Sequence, residues 1–226
     1  MSDAQRPVLR PVLHGYFRSG TTYRVRIALN LKGVAYDYVP VNLVEGDQSK
    51  SAFLQRNPQG LVPALETAHG VMTQSPAILE WIEETWPEPA LLPGDADRRA
   101  QIRAFAAAIG CDIHPIQNLR VLKRVRSEYG ADQDGAVGWA RHWIETGFRA
   151  LETLAEGGGG SNGFLFADRP TMAEVYLIPQ MYNARRFNAD LSATPRLVAA
   201  DEAARALPAF ADADPALQPD APRETG

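Results

Sequence analysis

The spacing of apolar residues changes character once along this chain, at the proline-rich stretch PEPALLPGDADRR that begins at Pro87. Before it, short apolar runs of strand length alternate with stretches at helical spacing; beyond it only helical periodicity is found. VLHGYF fits a strand that begins near Leu9. Thr21 to Lys32 then carry Val25, Ala28, Leu29 and Lys32 at helical spacing, with Ile27 and Leu31 widening the stripe, and Gly33 as a stop. AYDYVPVNL reads as a second strand, and β-α-β closes naturally as a parallel pair. A short helix is expected from Gln48 to Arg56, ended by Asn57-Pro58. LVPALE and VMTQ read as a hairpin turning at TAHG. SPAILEWIEETW opens a further helix, with Ser75 as N-cap and Pro76 at its first position.

The first segment is therefore β-α-β-α-β-β-α, ending near Trp86. In the second, one long helix is expected from Arg98 to about Gly130, kinked at Pro115, and another from Gly135 to Glu156. GGGGSNG reads as a flexible loop, and Thr171 with Glu174 as a capping box opening a helix through about Arg186. Alanine-rich helix follows, then a Pro/Asp tail from about Ala211 that composition leaves loose. The expected domains are 9–87 (α/β), a linker over 88–95, an all-helical domain over 96–213 and a loose tail over 214–226.

Composition narrows the function classes. A net charge of -4 argues against a nucleic-acid binder working by bulk positive charge. No apolar run is long enough to span a bilayer, and Met1 to Pro11 lack the apolar core of a signal peptide, so a cytoplasmic protein is expected. Cys111 is the only cysteine, which forbids an internal disulfide; AAAIGCD reads as helix interior, where a buried thiol is packing. With 4 histidines and no HExxH, no metal site is expected.

Several polar residues stand where helices begin. Ser19 follows the first strand and precedes the first helix, where its hydroxyl could steady an anion beside unpaired N–H groups or simply cap the helix. Gln74 and Ser75 open a later helix, a place that suits a carboxylate and equally suits plain capping. His114 and Asn118, four apart, would share a helix face, and a lone helical histidine is more often structural. Arg185 and Arg186 read either as carboxylate forks or as a solvated helix end near its C-terminal dipole.

RSGTTYRVRIAL, NPQGLVPAL, TQSPAILEWIEE, DIHPIQNLRVL and YNARRF, collinear from Val12 to about Leu207, resemble the zeta class of glutathione transferases, the maleylacetoacetate isomerases. The zeta signature usually reads Ser-Ser-Cys-Ser after the arginine; Ser19-Gly20-Thr21-Thr22 here is closer to the bacterial maleylpyruvate isomerases. The resemblance implies a glutathione transferase fold, with a thioredoxin-like N-terminal domain followed by an all-helical one, and a homodimer. It implies glutathione as cofactor, bound by Ser19, Gln48, Val62, Gln74, Ser75, His114, Asn118 and Arg120. The Val62-Pro63 bond would be cis, with Val62 N–H and C=O pairing to glutathione as an added strand does. Catalytic roles fall to Ser19, Arg18 and Thr21, with Thr21 or Thr22 capping the helix. A small dicarboxylate substrate would be gripped by Arg18 and Arg186, with Arg185 as helper. The expected activity is cis–trans isomerisation of a maleyl diketo acid. The alternatives are a general transferase conjugating small electrophiles and a non-catalytic binding module.

Overall fold

The computed structural model describes residues 10–222, so Leu9 and residues 223–226 of the tail lie outside the described residues. Two compact units result: one runs up to Pro89 and takes in the segment from Ala209 onward, and the other is Ala90–Pro208.

In the first unit, β1 (Val12–Gly15), α1 (Gly20–Leu31) and β2 (Asp37–Pro40) form the expected β-α-β. A 3₁₀ turn (Asp47–Ser49) and the short helix α2 (Ser51–Leu54) lead to β3 (Ala64–Thr67), β4 (Gly70–Thr73) and α3 (Ser75–Thr85). The sheet order is β2-β1-β3-β4. β1 pairs parallel with β2, Leu13 opposite Tyr38, and antiparallel with β3, Leu13 opposite Leu65; β3 and β4 form the hairpin. Leu13, Leu65, Ile27, Leu29, Ile78 and Ile82 are fully buried, so α1 and α3 turn their apolar stripes onto the sheet. Lys32, at the C-cap of α1, reaches Glu83 of α3 at 2.6 Å and the carbonyl of Pro89 at 2.8 Å, so a buried cation fastens one helix end to the other. Gly15 ends β1 where any Cβ would collide with the Thr22 methyl, which lets the strand run tightly into α1.

The described part of the expected loose tail is bonded to the first unit. Asn30 Nδ2 donates to the Ala209 carbonyl (2.9 Å), and Arg26 Nε donates to that of Ala213 (3.1 Å). Asp220 Oδ2 accepts from Phe17 N–H (2.9 Å) and from the Tyr38 hydroxyl (3.3 Å). The tail backbone supplies an acceptor to the buried Arg26 of α1, and the Asp220 side chain supplies one to the Phe17 N–H and the Tyr38 hydroxyl.

The second unit holds α4 (Ala96–Ala107), a π-helical turn (Ala108–Ile113), α5 (Leu119–Tyr129), α6 (Gln133–Glu156), α7 (Met172–Arg186) and α8 (Pro195–Arg205). The short α9 (Pro208–Ala211) follows. Residues of the expected linker belong to this unit: Leu91 and Leu92 are buried, and the Leu91 carbonyl accepts Met172 N–H at 2.7 Å. Asp95 and Asp132 cap α4 and α6 through Arg98 N–H (2.9 Å) and Gly135 N–H (2.7 Å). The Thr171/Glu174 capping box is formed, and Glu174 Oε1 also accepts Leu165 N–H at 2.8 Å. Burial pushes the Glu174 carboxyl above its ordinary range, against the pull of the bonds donated to it. The glycine run is a bonded turn rather than a flexible loop: Gly160 N–H donates to Leu165 O (3.1 Å), and a Cβ there would strike the Phe164 carbonyl.

Two further expectations change here. The long kinked helix is broken between Ile113 and Leu119, because Pro115 offers no N–H and Asn118 starts a new helix as N-cap. Cys111 is exposed rather than packed, since it lies in the π turn, whose wider winding abandons the 3.6-residue periodicity. Among the described residues no helix is long and apolar enough to cross a membrane, and no group of three His, Cys, Asp or Glu side chains could hold a metal ion.

Candidate active site

Ser19 is the N-cap of α1: its backbone is extended (φ -70°, ψ 117°) and its Oγ accepts Thr22 N–H at 3.3 Å. Neither Thr21 nor Thr22 has that role. Thr22 is fully buried. The Thr21 hydroxyl lies 2.9 Å from Ser19 Oγ and donates to the Val62 carbonyl, also at 2.9 Å. A hydroxyl has one proton. Since that of Thr21 goes to Val62, Ser19 must donate to Thr21, and the chain of bonds runs Ser19 to Thr21 to Val62. Gly20 and Thr21 have backbone N–H groups without partners among the described residues, so this helix entrance presents donors and a positive dipole end together.

Val62 sits before a cis bond to Pro63. Its N–H has no partner among the described residues, whereas its C=O is already engaged by Thr21 and keeps one lone pair for another donor. The loop leading to it is built by Asn57, whose Nδ2 donates to Leu61 O (2.6 Å) and whose Oδ1 accepts Gln59 N–H (3.1 Å). That loop is where the first unit's candidates meet. Gln59 Oε1 accepts from Gln74 Nε2 at 2.5 Å, and Gly60 has its Cβ position 3.1 Å from the Gln48 backbone carbonyl. Gln48 lies in the 3₁₀ turn, and its Oε1 is buried with no partner among the described residues.

Gln74, not Ser75, is the N-cap of α3. Its backbone is strained, at φ 67° and ψ 110°, a region costly to a residue with a Cβ, and its side chain makes no capping bond. Ser75 is the first helical residue, 2% exposed, and its Oγ accepts from Arg24 Nη1 at 3.4 Å. The N–H groups of Ser75 and Ala77 have no partners among the described residues, so α3 begins with open donors. The strained residue thus stands directly before uncapped donors, an arrangement able to receive an anion. Arg18 is exposed, its guanidinium 5.9 Å from the Phe17 ring.

In the second unit, His114 is half-buried at the end of the π turn, with its N–H on Ile109 O (2.9 Å). Asn118 Oδ1 is spent on Arg120 N–H (3.2 Å), and Arg120 is exposed. With the helix interrupted between them, His114 and Asn118 do not share one helix face as expected. Arg185 Nη2 is bound to Asp201 at 2.5 Å, and Asp201 is 1% exposed. The Arg185 charge therefore fastens α7 to α8, while the rest of its side chain stays partly exposed. Arg186 is exposed and lies over the Phe187 ring, 4.2 Å from its centroid.

Sequence reasoning missed Gln59, Arg24 and Asn57. Asn57 had a visible signal, an Asn-Pro turn directly before the LVP element; the other two are defined only by long-range partners.

Comparison with known proteins bears on this arrangement. Residues 13–90 match the glutathione S-transferase N-terminal domain. A maleylpyruvate isomerase from a Ralstonia species is 50% identical over 208 residues, spanning 92% of this chain and 98% of the relative. A solved holo maleylpyruvate isomerase, described as a bacterial zeta-class glutathione S-transferase, superposes with a TM-score of 0.91 at 50% identity, covering 93% of this chain and all of that one. The maleylacetoacetate isomerase of Anaeromyxobacter dehalogenans, solved with glutathione in its active site, gives 0.85 at 45% identity over 94% of this chain and 98% of its own. The chain belongs to the glutathione transferase family, within the zeta-class group of maleylpyruvate and maleylacetoacetate isomerases.

Proposed function

We propose that this protein is a glutathione-dependent cis–trans isomerase converting a maleyl diketo acid, maleylpyruvate or maleylacetoacetate, to its fumaryl isomer. The observation that carries this reading is the Ser19–Thr21–Val62 chain at an α1 entrance with open N–H donors, in a member of this family.

The first unit fits the tripeptide. Open N–H groups at Ser75 and Ala77 suit its γ-glutamyl carboxylate, the free Val62 N–H suits a backbone carbonyl, and the orphaned Gln48 Oε1 suits a donor near the glycyl end. When bound, glutathione supplies a thiol whose ionised form adds reversibly to a double bond conjugated with a ketone, freeing rotation about it. Ser19 Oγ–H and the N–H groups of Gly20 and Thr21 favour negative charge at this place, and lower a thiol pKa from about 8.5 towards neutrality. Thr21 holds Ser19 and Val62 in one register, so the sulfur donor and the backbone pairing group are positioned together. The same donors stabilise charge that develops on the substrate carbonyl. Arg18 and Arg186 offer planar forks for the substrate's carboxylates. His114, Asn118 and Arg120 are proposed as further glutathione contacts, Asn118 through its amide NH₂. Arg185 has no part in it.

A small dicarboxylate as substrate, a homodimer and a cytoplasmic location belong to the same reading. It is tested by giving purified protein each maleyl acid with limiting glutathione, then measuring free and S-linked glutathione at the end. Fumaryl product with all glutathione free supports the isomerase. Accumulating S-linked product supports a conjugating transferase instead, and an absence of glutathione binding would leave a non-catalytic module.

A further inference from the structure

We propose that the C-terminal segment sets the geometry of the α1 entrance, with Asp220 and Arg26 acting as positioning residues for Ser19 and Arg18; this rests on the glutathione-dependent reading above. Tyr16–Ser19 is a tight turn closed by Ser19 N–H on Tyr16 O at 2.9 Å. Phe17 is the first residue of its crown, where backbone polar groups normally face water. Here both are claimed by side chains from elsewhere. Phe17 N–H donates to Asp220 Oδ2 (2.9 Å), across 203 positions of sequence. Phe17 C=O accepts Arg26 Nη2 (3.0 Å).

The two clamps are linked. Arg26 is wholly buried in α1, with the Tyr23 ring 5.1 Å from its guanidinium, and its Nε holds the Ala213 carbonyl (3.1 Å). One planar fork thus joins the tail backbone to the turn backbone, which a lysine could not do with the same fixed angles. Asp220 is in turn held by the Tyr38 hydroxyl (3.3 Å). Burial above all, then the carboxylate itself, pushes Tyr38 far above its ordinary pKa, so it remains a donor. Arg18 and Ser19 are the two residues after Phe17, and Arg18 also rests on the Phe17 ring at 5.9 Å. Fixing the Phe17 peptide fixes the approach of the chain to the N-cap, and with it the direction of the Ser19 hydroxyl.

The test compares Asp220→Ala, Asp220→Asn and Tyr38→Phe with the wild-type chain, all checked for folding by circular dichroism. The readouts are kcat and the thiolate absorbance of bound glutathione against pH. Asp220→Ala is expected to lower kcat about tenfold, in line with the cost of misplacing a reacting group by a fraction of an ångström, and to move the thiol titration upward. Asp220→Asn keeps an acceptor for Phe17 N–H and should remain within about threefold of wild type. Tyr38→Phe loosens the same carboxylate without removing the Phe17 bond, so it should lower thermal stability and leave the thiol titration in place. An unchanged titration and kcat in Asp220→Ala, or an equal shift in Tyr38→Phe, overturns the inference while the isomerase reading stands. A wild-type chain that shows no bound thiolate overturns both. Independently of any variant, the Phe17 amide should be protected from hydrogen exchange in the wild-type protein, and exchange at the rate of an open turn contradicts the clamp.

Discussion

Replacing Ser19 with alanine removes two things that can be measured apart. The first is the cap: Ser19 Oγ accepts Thr22 N–H at 3.3 Å, and losing an N-cap acceptor costs about 1 kcal/mol, or about 2–4 °C in a chain of this size. The second is the donor proposed to face the glutathione sulfur. Removing one preorganised donor from a developing anion costs about 3 kcal/mol where it acts alone. Here the N–H groups of Gly20 and Thr21 remain, so a smaller effect is expected, a rise of about one unit in the bound thiol pKa, worth about 1.4 kcal/mol or roughly tenfold in thiolate below that pKa. The sign follows from the charge. A donor that favours the ionised thiol depresses its pKa, so its removal shifts the rising limb of the pH–rate profile to higher pH and leaves the alkaline plateau less affected. Thiolate absorbance of the glutathione complex and kcat/KM against pH are the assays. Ser19→Gly separates the two effects, because glycine is tolerated at an N-cap to within a few tenths of a kcal/mol but carries no hydroxyl. It should match alanine in the thiol shift and exceed it in stability. A Ser19→Ala protein whose thiol titrates as in wild type, with kcat/KM within about threefold, would refute the assignment of the sulfur donor to this hydroxyl.

Other perturbations act on single parts of the site. Arg186→Ala should raise KM for the maleyl acid by about tenfold or more, the worth of a charge-assisted hydrogen bond, with the glutathione KM little changed. Arg185→Ala should instead leave KM alone and lower stability by about 1–3 kcal/mol in denaturant melts, since it leaves the buried Asp201 carboxylate only the more distant Arg205 at 4.0 Å. Thr21→Val cuts both of that residue's hydroxyl bonds and frees the Val62 carbonyl, so the glutathione dissociation constant measured by calorimetry should rise severalfold, while the bound thiol still titrates low. Gly15→Ala should destabilise the fold by about 1–3 kcal/mol through its collision with the Thr22 methyl, and Thr22→Ser, which lacks that methyl, should recover part of the loss.

What could be read in advance was whatever short-range chemistry decides. The β-α-β unit, the hairpin at TAHG and the Thr171/Glu174 capping box all rest on periodicity or on partners within four residues. Each forms, although β1 begins at Val12 and β2 keeps only Asp37–Pro40 of AYDYVPVNL. Ser75 was misplaced by one position because Ser-Pro is a strong local helix start, whereas Gln74 takes its strained backbone and its bond to Gln59 from contacts outside the helix. Asn118 reads as a helix-face residue only if Pro115 kinks the helix; the proline breaks it, and Asn118 then has the commoner role of a cap. The docking of the chain end could not be foreseen, since its bonds join residues 179 to 203 apart and its composition is that of a solvated tail. Ser19 is legible as cap and as candidate donor alike; in the structure its oxygen accepts from Thr22 and its proton lies on Thr21, from which the proposed sulfur contact draws it.

The central claim is that the reacting sulfur is not the protein's own. Enzyme stripped of every trace of glutathione should leave maleylpyruvate and maleylacetoacetate at their uncatalysed rates. Added glutathione should restore isomerisation along a saturating curve that starts from zero, at concentrations far below that of the substrate. A stripped enzyme that isomerises at the full rate would contradict the account outright.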